Sequence, residues 1–246
     1  MSLDYAFDFE AVAAHADLLA AGAWTTALVT LVCCCGGFAI AVACNALRHG
    51  GRAPLRLAIG LYVDAVRNTP FLVQLFCLYF GVSSLGWRID APLTACCALS
   101  LYSGAYQTEI LRGALDGLPR AQQEAGEALG LSDRQVFLRL LLPQAVEVAL
   151  PALKSQLVLT LMATSIVSVI SVHELSHASA EISTETYRSF EAYLTASAIY
   201  LAMVIALRMS LSLIAAGLFL RSRRRVAGGL RAAAEILVRR KGSLPA

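Results

Sequence analysis

Thirty consecutive residues, Leu18 to Leu47, contain no Asp, Glu, Lys or Arg. Three further charge-free runs follow, Asn68–Trp87 with 20 residues and Ala91–Thr108 and Ser155–Val172 with 18 each. A fifth apolar stretch, Ala192–Leu220, is broken only by Arg208. A helix of about 20 mostly apolar residues crosses a hydrocarbon core of about 30 Å. Lipid offers a free backbone group no partner, so such runs fold as helices. Barrel strands would read as alternating segments of about ten residues, a pattern this chain lacks. The expectation is an all-α membrane protein with five transmembrane helices, over approximately residues 20–47, 58–85, 90–111, 147–172 and 192–220. They would form one transmembrane domain, 1–246. Composition agrees: 58% of the residues are apolar and 15% charged, against roughly 45–50% and about 25% in a soluble domain. Mean hydropathy is +0.65. A disordered chain is excluded, and a water-soluble enzyme is disfavoured.

Five spans place the two termini on opposite sides, and the cations orient them. Arg48, Arg52 and Arg56 follow the first span; Arg112, Arg120, Arg134 and Arg139 follow the third; eight more fill the tail from Arg221 to Lys241. The opposing loops hold only Arg88 and Arg188. This predicts an N-terminus outside and a basic tail, 221–246, in the cytoplasm. Met1 to Glu10 carry three acids and no base, unlike the positive start of a cleavable signal peptide. The net charge of +3 is explained by topology, and no aromatic-basic interleaving points to nucleic acid. All seven cysteines, Cys33, Cys34, Cys35, Cys44, Cys77, Cys96 and Cys97, fall in apolar runs and read as small hydrophobes, neither a disulfide framework nor a metal site.

The loop after the third span, residues 113–143, has its own punctuation. Pro119 suits a helix start and Gly130 followed by Leu131 a glycine-capped end. Between them Ala121, Ala125, Ala128 and Leu129 share one face. Ser132 with Gln135 is a capping box for a second short helix, with Val136, Phe137, Leu140 and Leu141 apolar and Pro143 marking a boundary before the fourth span. Two short helices joined at one glycine make a stiff elbow. Its alanine-rich face lets another backbone approach closely, which suits a cytoplasmic partner; packing beneath the chain's own membrane helices is equally allowed.

Glu124-Ala125-Gly126, three residues, Gly130, nine residues, then Leu140-x-Leu142-Pro143 resembles the EAA loop of ABC-importer permeases, Glu-Ala-Ala-x3-Gly-x9-Ile-x-Leu-Pro. Gly126 stands for alanine and Leu140 for isoleucine. Arg67-Asn68-Thr69-Pro70-Phe71-Leu72-Val73-Gln74 is similar to the Arg-Gly-Thr-Pro-Leu-Leu-Val-Gln stretch of the polar amino-acid subfamily (histidine, glutamine and arginine permeases). Ala105 to Gly113, Leu142 to Ala145 and Thr164 to Ser168 continue the likeness, which runs from about Gly22 to Leu220.

The resemblance implies a permease subunit of an ATP-binding-cassette importer for polar amino acids, in a bacterial cytoplasmic (inner) membrane. Such a subunit forms half of the translocation path. It pairs with a second permease, identical or paralogous. Two cytoplasmic ATP-binding subunits grip the elbows, and a periplasmic or extracellular amino-acid-binding protein delivers substrate. Hydrolysis belongs to the ATPase: this chain has no Gly-x4-Gly-Lys-Ser/Thr phosphate loop, and no cofactor is implied. By resemblance Glu124, Ala125, Gly126 and Gly130 couple to the ATPase. Where the family commonly has Lys-Asp-Thr-Ser, this chain has Met162-Ala163-Thr164-Ser165. Two charges are missing from a central position, which points to a paralogous partner holding more of the substrate contacts. An ATPase-independent channel, transporter or membrane enzyme subunit is the alternative, though it leaves the elbow unexplained.

Polar groups in apolar spans are candidates for the substrate path: Gln107, Glu109, Thr164, Ser165 and Arg208. A zwitterion needs acceptors for its ammonium and donors for its carboxylate, while interhelical hydrogen bonding is the alternative role. Arg208 near membrane depth needs a partner, with Glu109 and Glu147 available. Asp64 and Arg67, three apart, predict a local ion pair, and Lys154 an interfacial site. His173 and His177 share a helix face but lack a third ligand; a solvated outer face with Glu181, Glu185 and Glu191 is expected there. The tail, mildly amphipathic through Leu230, Ala234, Leu237 and Val238, suits either adsorption to anionic lipid or solvent.

Overall fold

The computed structural model describes the backbone of residues 6–87 and 89–241 and, among these, the side chains through Gly217. The expected roles of Arg88 and of the tail's cations and apolar residues therefore lie outside the described side chains. All regular structure in the described residues is helical: α1 (Glu10–Ala13), α2 (Ala16–Gly50), α3 (Ala53–Arg67), α4 (Phe71–Ser84), α5 (Ala91–Asp116), α6 (Arg120–Ala128), α7 (Asp133–Gln135), a π-helical segment (Val136–Leu141), α8 (Leu142–Ala163), a 3-10 segment (Thr164–Ile170), α9 (Leu175–Thr186) and α10 (Ser189–Lys241). Two units are distinguished, Met1–Val204 and Ile205–Ala246. The first holds the packed bundle; the described residues of the second all belong to α10.

Among the described residues, three helical stretches are long and apolar enough to cross a membrane: Ala16–Gly50, Asp133–Ile170 and Ser189–Gly217. Phe71–Ser84 is apolar but shorter. The first unit is built inside out relative to a soluble domain. Leu31, Leu57, Leu61, Phe80, Val148 and Leu159 are exposed, whereas Thr26, Thr30, Asn45, Ser103, Gln107, Gln156 and Thr160 are buried. An apolar surface this extensive needs lipid or protein against it.

α2 and α5 form the central pair, and small residues bring them together. A Cβ on Gly37 would stand 3.0 Å from the Gly104 backbone nitrogen and 2.8 Å from Gln107 Nε2. One on Gly104 would meet Ile40 at 2.9 Å. Helices in lipid gain little from hydrophobicity, so close approach and interhelical hydrogen bonds hold them. Asn45 supplies one such bond, donating to Thr108 O at 3.0 Å. Cys33, Leu75, Leu99 and Val167 pack one end of the bundle, and Ala41, Leu111, Ala145 and Leu153 the other.

The second apolar stretch, expected as one span over 58–85, is two helices, α3 and α4, separated at Asn68–Pro70. Pro70 offers no N–H to the helix before it, and its ring pushes Thr69 out of helical geometry. Asp64 O keeps its helical donor, the Asn68 N–H at 3.0 Å, but the three carbonyls after it lose theirs, and side chains donate to all four. Asn68 Nδ2 donates to Asp64 O at 2.8 Å, Thr69 Oγ1 to Ala65 O at 2.8 Å, Gln74 Nε2 to Val66 O at 2.7 Å and Tyr106 OH to Arg67 O at 3.5 Å. The expected Asp64–Arg67 pair does not form. Arg67 instead reaches across to α5, 3.9 Å from Glu109 and over the Tyr106 ring, because the break turns the end of α3 toward that helix.

Pro143 does not mark a boundary either. The chain winds from α7 into α8 without interruption, and the turn just ahead of Pro143 widens into the π segment. A proline ring clashes with the carbonyl four residues back and cannot donate to it; wider winding relieves both problems.

On the other face, two of the three acids expected in solvent, Glu181 and Glu185, are exposed. The third, Glu191, is fully buried, as is Glu174. Glu174 Oε1 accepts from the His177 N–H at 2.9 Å, and its Oε2 from Tyr200 OH at 2.6 Å. Glu191 Oε1 accepts from the Asp8 N–H at 3.0 Å and lies 3.7 Å from Arg188. The chain folds its N-terminal segment back over α9 and the start of α10, where Val12, Leu19, Leu175, Ile182 and Ala192 form a separate core. His173 and His177 pack ring to ring with centroids 4.5 Å apart.

Candidate functional site

Local chemistry builds α6, its glycine turn and the start of α7 as the sequence predicts, but the second helix is not a separate short one, since α7 runs on into α8. Pro119 precedes α6 with φ at −61°. At the other end Leu131 N–H donates to Gly126 O at 3.1 Å and Gly130 N–H to Glu127 O at 2.9 Å. This paired closure requires a left-handed residue, and Gly130 has φ +78°, where glycine meets no Cβ penalty. Ser132 N–H then donates to Gln135 Oε1 at 3.0 Å, completing the capping box that starts α7.

Gly126 is the buried residue of α6. A Cβ there would stand 2.8 Å from Leu140 Cδ1 and 3.0 Å from Val136 Cγ2. α6 therefore lies directly on the π segment, which gives a physical reason for glycine at this position. Ala121, Glu124, Ala125, Ala128 and Leu129 are exposed; Leu129 is 80% exposed. Of the two arrangements open to the elbow, the alanine face is not the one packed under the chain's own helices. Glu124 makes no hydrogen bond or ion pair among the described residues, while Gln123 and Glu127 bond to each other at 2.9 Å.

Within the first unit, the polar candidates do not converge on one point. Gln107 is buried between α5 and α2, donating to Ser103 Oγ at 2.8 Å; Ser103 in turn shares a 2.9 Å bond with Thr160 of α8. Gln156 Nε2, buried one turn before Thr160, has no partner among the described residues. Thr164, also buried, donates to Leu161 O at 2.7 Å. Ser165 is half-exposed and donates to Met162 O at 2.8 Å. Glu109 lies on a different face of α5, paired with Arg112 and Arg67. Arg208 belongs to the second unit, where its carbonyl accepts from Ser212 Oγ at 2.8 Å. Sequence reasoning missed Ser103, Thr160 and Gln156, which join Gln107 in a polar seam. Polar residues recurring every four, Gln156 and Thr160 in α8 and Thr164 at the start of the 3-10 segment, were the available signal.

The model of the family described as "binding-protein-dependent transport system inner membrane component" matches residues 36–226. The chain belongs to that family. As its member, the permease is the membrane-embedded component of a binding-protein-dependent transport system. It is 36% identical over 176 residues to the octopine transport system permease protein OccM of Rhizobium meliloti, covering 68% of this chain and 72% of that relative. It is 28% identical over 191 residues to the probable glutamine ABC transporter permease protein GlnM of Bacillus subtilis, covering 78% and 88%. A chain from the crystal structure of an amino acid ABC transporter with histidines superposes with a TM-score of 0.76 at 30% identity, over 86% of the permease and 99% of that chain. An inward-facing MetNI methionine ABC transporter shares the fold, with a TM-score of 0.69 at 20% identity over 81% and 95%.

Proposed function

We propose that this permease serves an ABC importer for polar amino acids and couples its half of the path to a separate cytoplasmic ATPase through the 113–143 elbow. The observation that carries this reading is the exposed Ala121–Ala125–Ala128 face on an element stiffened at both ends. A rigid lever with a small-residue face and a free carboxylate at Glu124 fits insertion into a partner cleft. Gly126 and Gly130 hold its shape; Ala125 and Glu124 meet the partner. Five spans in a single transmembrane domain, with the N-terminus outside, place the elbow and the tail in the cytoplasm of a bacterium. α3 and α4 together then make the second span. Two ATP-binding subunits, a second and paralogous permease, and an external amino-acid-binding protein complete the assembly. Gln107, Thr164, Ser165, Glu109 and Arg208 are the residues proposed along the path. The relatives' named cargoes, octopine and glutamine, are amino acids with polar side chains and support that substrate class.

The test is co-purification and uptake. Ala125→Arg and Glu124→Lys alter only exposed positions, so the permease should insert and elute normally. Recovery of the ATPase with it should fall roughly tenfold or more, as for a central interface residue, and uptake with it. Unchanged recovery and uptake in both variants would overturn the coupling role. Ligand binding by the cognate external protein, measured across the amino acids, tests the substrate class.

A further inference from the structure

A cavity of about 460 Å³ opens where the ends of α2 and α5 meet the first turn of α6. Arg48, Arg112 and Arg120 line it, with Asp116 as its one carboxylate. Arg112 is already engaged, bonded to Asp116 at 2.6 Å and to Glu109. Arg48 and Arg120 make no ion pair among the described residues, and the lining, three cations against one carboxylate, is net positive. Leu115, Leu118, Phe137 and Leu141 also belong to the lining, and the Phe137 ring packs 5.6 Å from His49. Cations and apolar side chains in one lining, at the membrane end of two spans, match a phosphate that carries acyl chains better than a free one.

From this arrangement we propose that the cavity binds the phosphate headgroup of an anionic phospholipid from the cytoplasmic leaflet. Guanidiniums pair with phosphate oxygens in fixed, charge-assisted geometry, and basic pockets between spans on the cytoplasmic side suit acidic headgroups. Arg120 and Gln123 lie on the elbow, whereas Arg48 and Arg112 lie on α2 and α5. One bound headgroup therefore ties the elbow to the bundle, and the lipid stiffens the lever that the ATPase moves. The inference rests on the elbow being cytoplasmic.

The assembled transporter is placed in nanodiscs of phosphatidylcholine containing a trace of spin-labelled phosphatidylglycerol or spin-labelled phosphatidylcholine. The protein-bound fraction should favour phosphatidylglycerol. Arg48→Gln with Arg120→Gln should reduce that preference roughly tenfold. Arg56→Gln with Arg139→Gln removes the same charge from exposed positions outside the cavity and should leave it intact. Equal losses in the two double variants, or no preference in the wild type, would overturn the proposal. Displacement of the bound label by millimolar inorganic phosphate would overturn it in favour of a free anion. Nanodiscs expose both leaflets, so the result does not depend on orientation. Protease access to the elbow in sealed vesicles tests the orientation separately.

Discussion

Gln74 Nε2 reaches three oxygens across the break between α3 and α4: Val66 O at 2.7 Å, Thr69 O at 3.0 Å and Thr69 Oγ1 at 2.8 Å. In water these acceptors would find solvent, but in lipid each needs a donor from the protein. Gln74→Leu keeps the bulk and the apolar character of α4 and removes the donor. Leaving such a group unsatisfied costs about 1–3 kcal/mol, so the purified complex should unfold several degrees lower, measured by intrinsic fluorescence on heating in nanodiscs. An unchanged midpoint would mean that lipid headgroups or water replace the amide. The residues were legible as a motif before the structure, since Arg67 to Gln74 resembles a family stretch. Their purpose was not, because a hydropathy count registers Asn68, Thr69 and Pro70 only as uncharged. Glu191 was illegible for a related reason. Acids spaced along a helix read as a wet face, which Glu181 and Glu185 are, and only the contact from the N-terminal segment reveals Glu191 as buried.

Elements differed in how far local chemistry decides them. The elbow was readable nearly residue by residue, because Pro119, Gly130, Ser132 and Gln135 act on their own backbones. The π segment was not, because Pro143 is compatible with either a helix end or a widened turn. The packing of α6 on Val136 and Leu140 and the buried Phe137 select the second. The same logic makes Gly130 a test of stiffness separate from partner contact. A Cβ on Gly130 would meet nothing within 4 Å, but its φ is +78°. Gly130→Asn should retain coupling, since asparagine tolerates the left-handed region. Gly130→Val should strain the closure by about 1–3 kcal/mol, lowering the uptake obtained per ATP hydrolysed more than it lowers ATPase recovery. If valine and asparagine behave alike, the left-handed turn is not what transmits the movement.

Across the whole chain, scarce charge does two jobs that the sequence distinguishes only by position. Arg48 and Arg112 mark one end of the helices, yet Arg112 also closes a pair with Glu109 and Asp116, and Arg48 faces the cavity beside it. Arg188, at the opposite end, holds the N-terminal segment through Ala6 O at 3.0 Å. If the excess of cations orients the permease, alkaline phosphatase fused within the Tyr187 turn should be active, and fusions after Gly117 or within the tail should be silent. The broken second span sharpens this test. α3 and α4 have 15 and 14 residues, about 22 and 21 Å at 1.5 Å per residue, and neither alone reaches across a core of about 30 Å. A fusion after Ser84 should therefore be active only if the two helices cross as one span with the Asn68–Pro70 joint inside the bilayer. A silent fusion at Ser84 with an active one at Tyr187 would instead make the pair a re-entrant hairpin and, by parity, keep α5 from crossing as well, leaving three spans.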